Sequence, residues 1–525
     1  MTHLAWATET SARPIRRVRA LGAALSASIV LACGTTVSTA AGAAGPPPPI
    51  DELTAVDAVQ AICEGRLASQ ALMQAYLERA RARPDLNAFI TLDEAHALRA
   101  ARAADTSRSA RGKCLPLDGL PIVVKDNIHV AGLRNTAGTP ALKDFEPNAD
   151  APVVRKLRDA GAIVIGKTNM HELAFGISGH NMAFKTGAYD PTRMAGGSSS
   201  GNGAAIGARI APAGIGTDTG GSVRIPCAFN GCAALRPTVG RYPQSGITPI
   251  SHTRDTAGPM AVSMRDVELL DRVISGDAPV QPADPRSVRL GVVAPLYADL
   301  DDDTRASMDA ALAKLRAEGV TLVDVEMPQL MELNGRIGFP LALFEAHDDV
   351  AGYLKHYSTG VTLEQLAAQI ASPDVKGTYE NLVLPRKLPG PDGTTVDARP
   401  VYEAAMREAP ARRDRLSDGA GGGDARRSGI EQPGELRPLH PQYRPRQQCG
   451  RAGDHVAGGA GRNDAASSRT RSRRAGRQRS TAGRRRNDAG EGVRPTRAAG
   501  ALSANPAPEG ARFAAAKPHC TAAIM

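Results

Sequence analysis

Three short segments carry residue types that can act on one carbonyl. Gly196-Gly197-Ser198-Ser199-Ser200-Gly201 is a serine-bearing glycine turn, and an alanine-rich run leads from it into Gly216-Thr217-Asp218-Thr219-Gly220-Gly221-Ser222. Upstream, Lys125 closes the apolar run Leu120-Pro-Ile-Val-Val-Lys125. Serine-catalysed cleavage needs a nucleophile, a proton acceptor, donors for the developing oxyanion and an acid for the leaving group. Ser222 is the candidate nucleophile. The glycines before it allow close backbone approach, so the amides of Thr219, Gly220, Gly221 and Ser222 can converge as an oxyanion hole. Lys125, at the end of an apolar strand, becomes a neutral base if desolvation lowers its pKa. Ser198 would relay the proton between Lys125 and Ser222 and return it to the leaving nitrogen.

Rival chemistries fail on the same residues. Gly196 to Gly201 has the glycine spacing of a phosphate loop, but Asn202-Gly203 stands where Lys-Ser/Thr is required. The run from Gly220 to Arg224 lacks the final glycine of a nucleophile elbow. No lysine has a serine three residues before it, and His171-Glu172 opens a zinc-protease pattern that ends in Phe175 rather than histidine. His129, His171 and His252 read as packing or hydrogen-bonding residues. The mechanism calls for no histidine, metal or cofactor.

The elements that must hold these groups read as alternating α and β. Thr54, three residues before Asp57, suggests a capped helix start, and Leu72, Met73, Tyr76, Leu77 and Ala80 share a helical face. Leu117–Val124 predicts a buried strand delivering Lys125. A helix over 150–160, stopped by Gly161, is followed by a short buried strand over 162–165. Ala204–Ile215 predicts a short buried helix breaking at Pro212, and 301–317, 344–357 and 362–370 read as further helices. Strand, helix and strand in this order imply an α/β body with a largely parallel or mixed sheet.

Composition divides the chain. Residues 411–525 hold 23 Lys+Arg against 10 Asp+Glu, whereas the rest holds 41 against 44. The net charge of +10 therefore belongs to the tail, and the body gives no basic surface for nucleic acid. With only nine Leu, Ile, Val or Phe in those 115 residues, the tail lacks the apolar surface to offset its ordering entropy. The sequence thus predicts a folded body over 51–408 and a disordered Arg/Ala/Gly-rich segment over 409–525. At the other end, Arg13, Arg16, Arg17 and Arg19 precede the apolar stretch 21–32, and Ala41-Gly42-Ala43 fits a cleavage site. Residues 1–43 are expected to be a signal peptide for export to the periplasm or beyond, with 44–50 a Pro-rich spacer. Arg16-Arg17 as a twin-arginine signal and Cys33 as a lipoprotein anchor are alternatives. The apolar stretch is too short to span a bilayer, so no transmembrane segment is expected after signal removal. Of seven cysteines, Cys63 and Cys114 could pair in an oxidising compartment, while Cys227 and Cys232 read as small buried fillers.

Gly196 to Arg241 resembles the signature segment of the amidase signature family, with Lys125, Ser198 and Ser222 matching its motif residue by residue. The likeness extends over roughly residues 51–400. It implies a mixed twisted sheet flanked by helices and a Ser-Ser-Lys mechanism without cofactor, acting through an acyl-enzyme on a small-molecule amide. It also implies a cis peptide before Ser198, and supporting roles around the serine loops for Asp218, Arg224 and Ser199. The segments 169–176 and 240–259 are similar to family members that cleave primary amides of aryl-substituted acetic acids. An amidotransferase subunit with the same signature, or a non-catalytic relative with an anion-binding tail, are the competing implications. The family continues past residue 400 with another apolar, Pro- and Gly-punctuated stretch, whereas this chain turns Arg-rich. A frameshift near 406–415 is the expected reason.

Overall fold

A computed structural model describes residues 49–185, 190, 192–390 and 393–418. The expected signal segment 1–43 with Cys33, most of the spacer, and residues 419–525 lie outside the described residues. Six strands, β1 (Phe89–Leu92), β2 (Pro121–Lys125), β3 (Ile163–Thr168), β4 (Ala213–Thr217), β5 (Ala233–Ala234) and β6 (Ala257–Ala261), form a mixed sheet. Their order is β1-β3-β2-β4-β6-β5. β2 runs parallel to both β3 and β4, and the outer pairings are antiparallel. Central parallel strands are covered on both faces, which is why β2 is an unbroken apolar run. Ile122 and Val124 enter one core and Val123 the other. Side chains alternate along a strand, so Lys125 falls on the face of Val123.

Helices cover both faces: α1 (Ala55–Cys63), α2 (Ser69–Ala82), α3 (Glu94–Arg111), α4 (Pro152–Asp159), α5 (Ser200–Gly207), α6 (Arg224–Asn230) and α7 (Met264–Ser275). Thr54 caps α1 by accepting the Asp57 amide, and Leu72, Met73, Tyr76 and Leu77 of α2 are buried as their spacing predicts. Residues of α1, α4 and α7 pack with Ile122 and Val124, whereas α3, α5 and α6 pack with Val123.

One expectation fails between the two serine turns. The helix predicted over 204–215 ends at Gly207, and Ala213–Thr217 is instead the strand β4. Tertiary packing decides this. A Cβ on Gly214 would lie 2.5 Å from Val123 Cγ2, so β4 sits against β2 at a distance only glycine permits.

Beyond the sheet, β7 (Arg289–Val293) and β8 (Thr321–Val325) pair in parallel around α8 (Asp302–Ala317). Then follow α9 (Leu330–His356), α10 (Leu363–Ala368), α11 (Pro373–Thr378), the small ladder of β9 (Lys387–Pro389) with β10 (Thr395–Asp397), and α12 (Ala398–Asp418). α9 begins well before the predicted 344 and continues through Pro340. An interior proline removes one helical hydrogen bond and crowds the preceding turn, and burial of Leu333, Ile337 and Leu341 against Ala405, Tyr402 and Met406 of α12 offsets that cost. α12 itself carries regular structure past 408, where the sequence predicts that it stops. Among the described residues, no helix is long and apolar enough to cross a membrane.

Cys63 and Cys114 form a disulfide, as the sequence allows. Closing a loop of 51 residues limits the unfolded chain by roughly 4 kcal/mol. Cys227 and Cys232 also form one, rather than serving as separate fillers. Gly231 ends α6 in a left-handed turn that swings Cys232 back beside Cys227, a proximity invisible in the spacing alone.

Candidate active site

β2 ends at Lys125 and the parallel neighbour β4 ends at Thr217, so both C-terminal ends open at one place. The Lys125 Nζ lies 2.7 Å from Ser198 Oγ and 2.7 Å from Thr217 Oγ1, with Lys125 and Ser198 wholly buried. Burial pushes the Lys125 amine down to about 7, and the charges of Asp218 and Asp255 offset only part of that effect. An amine with this affinity carries a lone pair at neutral pH and can accept a proton from Ser198. A second buried lysine provides the contrast: Lys167 Nζ lies 3.3 Å from the Asp126 carboxylate. Lys167 is a member of an ion pair, whereas Lys125 has no carboxylate at that range among the described residues.

Ser198 stands on the loop into α5. The Gly197–Ser198 peptide is cis, as the resemblance implies. The Ser198 carbonyl accepts from the His171 amide at 3.0 Å, and Gly197 N–H donates to Ile177 O at 2.6 Å. Ser199 donates its amide to the Ser222 carbonyl at 3.1 Å, drawing the two serine loops together, and its hydroxyl meets the Thr217 backbone. Ser222 follows β4 and is slightly solvent-accessible. Among the described residues no hydrogen bond joins the Ser198 and Ser222 hydroxyls. Catalytic hydrogen bonds are often long before substrate arrives.

Asp218 shapes the turn between β4 and Ser222. Its carboxylate accepts from the Gly221 amide at 2.6 Å, from Val223 N at 3.3 Å, and from both Arg224 and Arg236. Burial opposes its ionisation, but Arg224, Arg236 and the Gly221 amide hold the carboxyl below its usual range. This corrects one expectation. The Gly221 N–H is already committed to Asp218, so it is not an oxyanion donor here. Gly221 adopts φ +134, a conformation L side chains rarely take, which explains glycine at this position. The amides of Thr219, Gly220 and Ser222 meet no acceptor among the described residues.

The three histidines make local contacts. His129 Nε2 lies 2.7 Å from the Tyr353 hydroxyl and is pushed down to about 4 by burial, so it is neutral. His171 faces Asp374 at 3.0 Å. His252 lies between Asp349 and Glu345, at 3.0 and 3.6 Å. These three residues are the one group of metal-ligand type among the described residues. Both imidazole nitrogens face carboxylates, which makes the group an ion-pair clasp joining α9 to residues 251–256.

Sequence reasoning missed Thr217, Asn127, Arg236 and Asp255. Asn127 Nδ2 donates to Thr217 Oγ1 at 3.1 Å and so helps orient the hydroxyl beside Lys125. Thr217 lies inside the quoted motif, but only the β2–β4 register shows that it reaches the amine.

The amidase family model matches residues 71–385. The chain is 48% identical over 365 residues to a mandelamide hydrolase of Pseudomonas putida, covering 68% of this chain and 72% of that one. An indoleacetamide hydrolase of Agrobacterium vitis is 38% identical over 310 residues, covering 58% and 65% respectively. The native peptide amidase of Stenotrophomonas maltophilia superimposes with a TM-score of 0.59 at 31% identity, over 69% of this chain and 80% of that one. The chain belongs to the amidase family, whose serine-type members hydrolyse amides. The mixed sheet flanked by helices is the fold of its structural neighbours.

Proposed function

We propose that this chain hydrolyses primary amides of aryl-substituted acetic acids to the acid and ammonia, with Ser222 as nucleophile, Ser198 as relay and Lys125 as base. The reading is carried by the buried Lys125 amine, 2.7 Å from Ser198 Oγ and without a carboxylate partner among the described residues. Ser222 Oγ attacks the amide carbon, and its proton passes through Ser198 to Lys125. The oxyanion gathers donors from the amides of Thr219, Gly220 and Ser222. The same proton returns through Ser198 to the nitrogen as the C–N bond breaks, releasing ammonia. Water then enters, loses a proton to the relay and cleaves the Ser222 ester, which frees the carboxylic acid and restores the serine. The substrate class is supported by likeness to the mandelamide and indoleacetamide hydrolases.

Ammonia release from mandelamide, indoleacetamide, aliphatic amides and short peptide amides tests the reading. We expect the highest kcat/KM on the arylacetamides. A preference for aliphatic or peptide amides overturns the substrate class, and no release from any amide by folded protein overturns the hydrolase reading.

Export is a second part of this reading. The arginines and apolar stretch before Ala41-Gly42-Ala43 support it, and two cysteine pairs fit an oxidising compartment. Expressed in a bacterial host, the chain is expected in the periplasmic fraction with its N-terminus after Ala43. A cytosolic chain that retains residues 1–43 contradicts export.

A further inference from the structure

The turn that would bind the oxyanion is braced from behind by residues 250–256. Asp218 exchanges backbone hydrogen bonds with Thr256 at 2.8 and 3.3 Å. Arg236 donates to the Asp218 carboxylate at 2.8 Å and to its carbonyl, and its other terminal nitrogen donates to Arg254 O at 2.6 Å. On the far side, the segment is pinned to α9: Ser251 and Thr253 donate to Glu345, and the His252 amide donates to Asp349 at 2.7 Å. Asp255 sits inside this brace. Its Oδ2 accepts the amides of Ile250 at 2.7 Å and Ser251 at 2.9 Å, which leaves Oδ1 for the Thr219 hydroxyl at 2.6 Å.

Thr219 is followed by two glycines, which have wide backbone freedom. Asp218 fixes one end of this stretch through the Gly221 amide. At the other end, the Thr219 side chain makes the bond that ties it to the brace. We propose that Asp255 is a positioning residue for the oxyanion loop: its carboxylate, oriented by two backbone amides, holds the Thr219 hydroxyl and thereby sets the direction of the Thr219 and Gly220 N–H groups. Oxyanion donors act through preorganisation, so a donor swung out of line costs rate without weakening ground-state binding in proportion. This rests on the hydrolase reading above.

The substitutions are chosen so that folding and positioning separate. Thr219→Val removes only the hydroxyl from a half-buried side chain of nearly the same volume. Asp255→Ala removes the acceptor. Each is expected to lower kcat on an arylacetamide by about 10–100-fold, with KM within about twofold. Because both cut one link, the double variant should be no slower than the slower single one. Asp255→Asn can keep its Oδ1 on the two amides and donate from Nδ2 to Thr219, so it should recover most of kcat, as should Thr219→Ser. Three results overturn the proposal: parental kcat in Thr219→Val, single losses that multiply in the double variant, or losses confined to KM or Tm. Ser222→Ala, assayed alongside, keeps the failures apart. If it matches the parent, the hydrolase reading fails. If it is inactive while Thr219→Val is fully active, only the positioning role fails.

Discussion

Ser222→Ala is expected to lower kcat by roughly 10⁴-fold or more, a loss of about 5 kcal/mol of transition-state stabilisation or more. Without the hydroxyl the proposed acyl-enzyme cannot form, and the remaining amides and proposed relay would only assist direct attack by water. Stability should change little, within about 0.5 kcal/mol, because the Ser222 hydroxyl makes no hydrogen bond among the described residues and the substitution leaves the backbone bonds of the turn intact. Steady-state ammonia release, with thermal denaturation as control, measures both. Turnover within tenfold of the parent by a well-folded variant would remove Ser222 from the mechanism.

Lys125→Met is expected to lower kcat by about 10²–10⁴-fold, the usual range for a lost general base, while leaving the protein at least as stable as the parent. The two effects have one physical origin. A lysine enclosed at the end of a central strand is costly to charge, and that cost would make it a base near neutrality. The parent should lose kcat/KM tenfold per pH unit below about 7, as Lys125 takes up the proton that disables it. The sign for stability follows from the same shift. The folded amine is lowered to about 7 from 10.5, so between those values the unfolded chain binds more protons and the parent gains stability as pH rises. The advantage of Lys125→Met in Tm should therefore be largest at or below about pH 7 and narrow toward pH 10. A variant with parental kcat, or a parent whose rate is flat from pH 5 to 8, would rule out Lys125 as the base.

The relation between sequence and site is uneven for identifiable reasons. The strand bearing Lys125 was legible because a β-branched run bounded by turns has few other readings. The serine turns were legible because glycine density marks backbone that must bend or approach closely. The strand β4 was misread as helix because alanine favours helix and neither alanine nor glycine marks a strand. Pairing with β2 on one side and β6 on the other, with Gly214 leaving room for Val123, decides the matter. α12 carried its signal in Val401, Tyr402, Ala405 and Met406, at helical spacing, but it stands where composition changes and the change dominated the reading.

What the sequence alone determined is the chemistry on offer: a lysine on an apolar strand, and serines set in glycine turns that resemble one family's signature. Those features are local, written in residue type and short spacing. The fold decided which groups meet. Thr217 reaches the amine through the β2–β4 register, Arg236 crosses to Asp218 from a loop beyond β5, and Asp255 holds Thr219 from a segment that α9 keeps in place. Asp218 likewise takes the Gly221 amide that residue order alone had offered to the oxyanion. Hydrogen bonds between residues far apart in sequence depend on which strands pair and which helices cover them, and residue order carries no direct record of that.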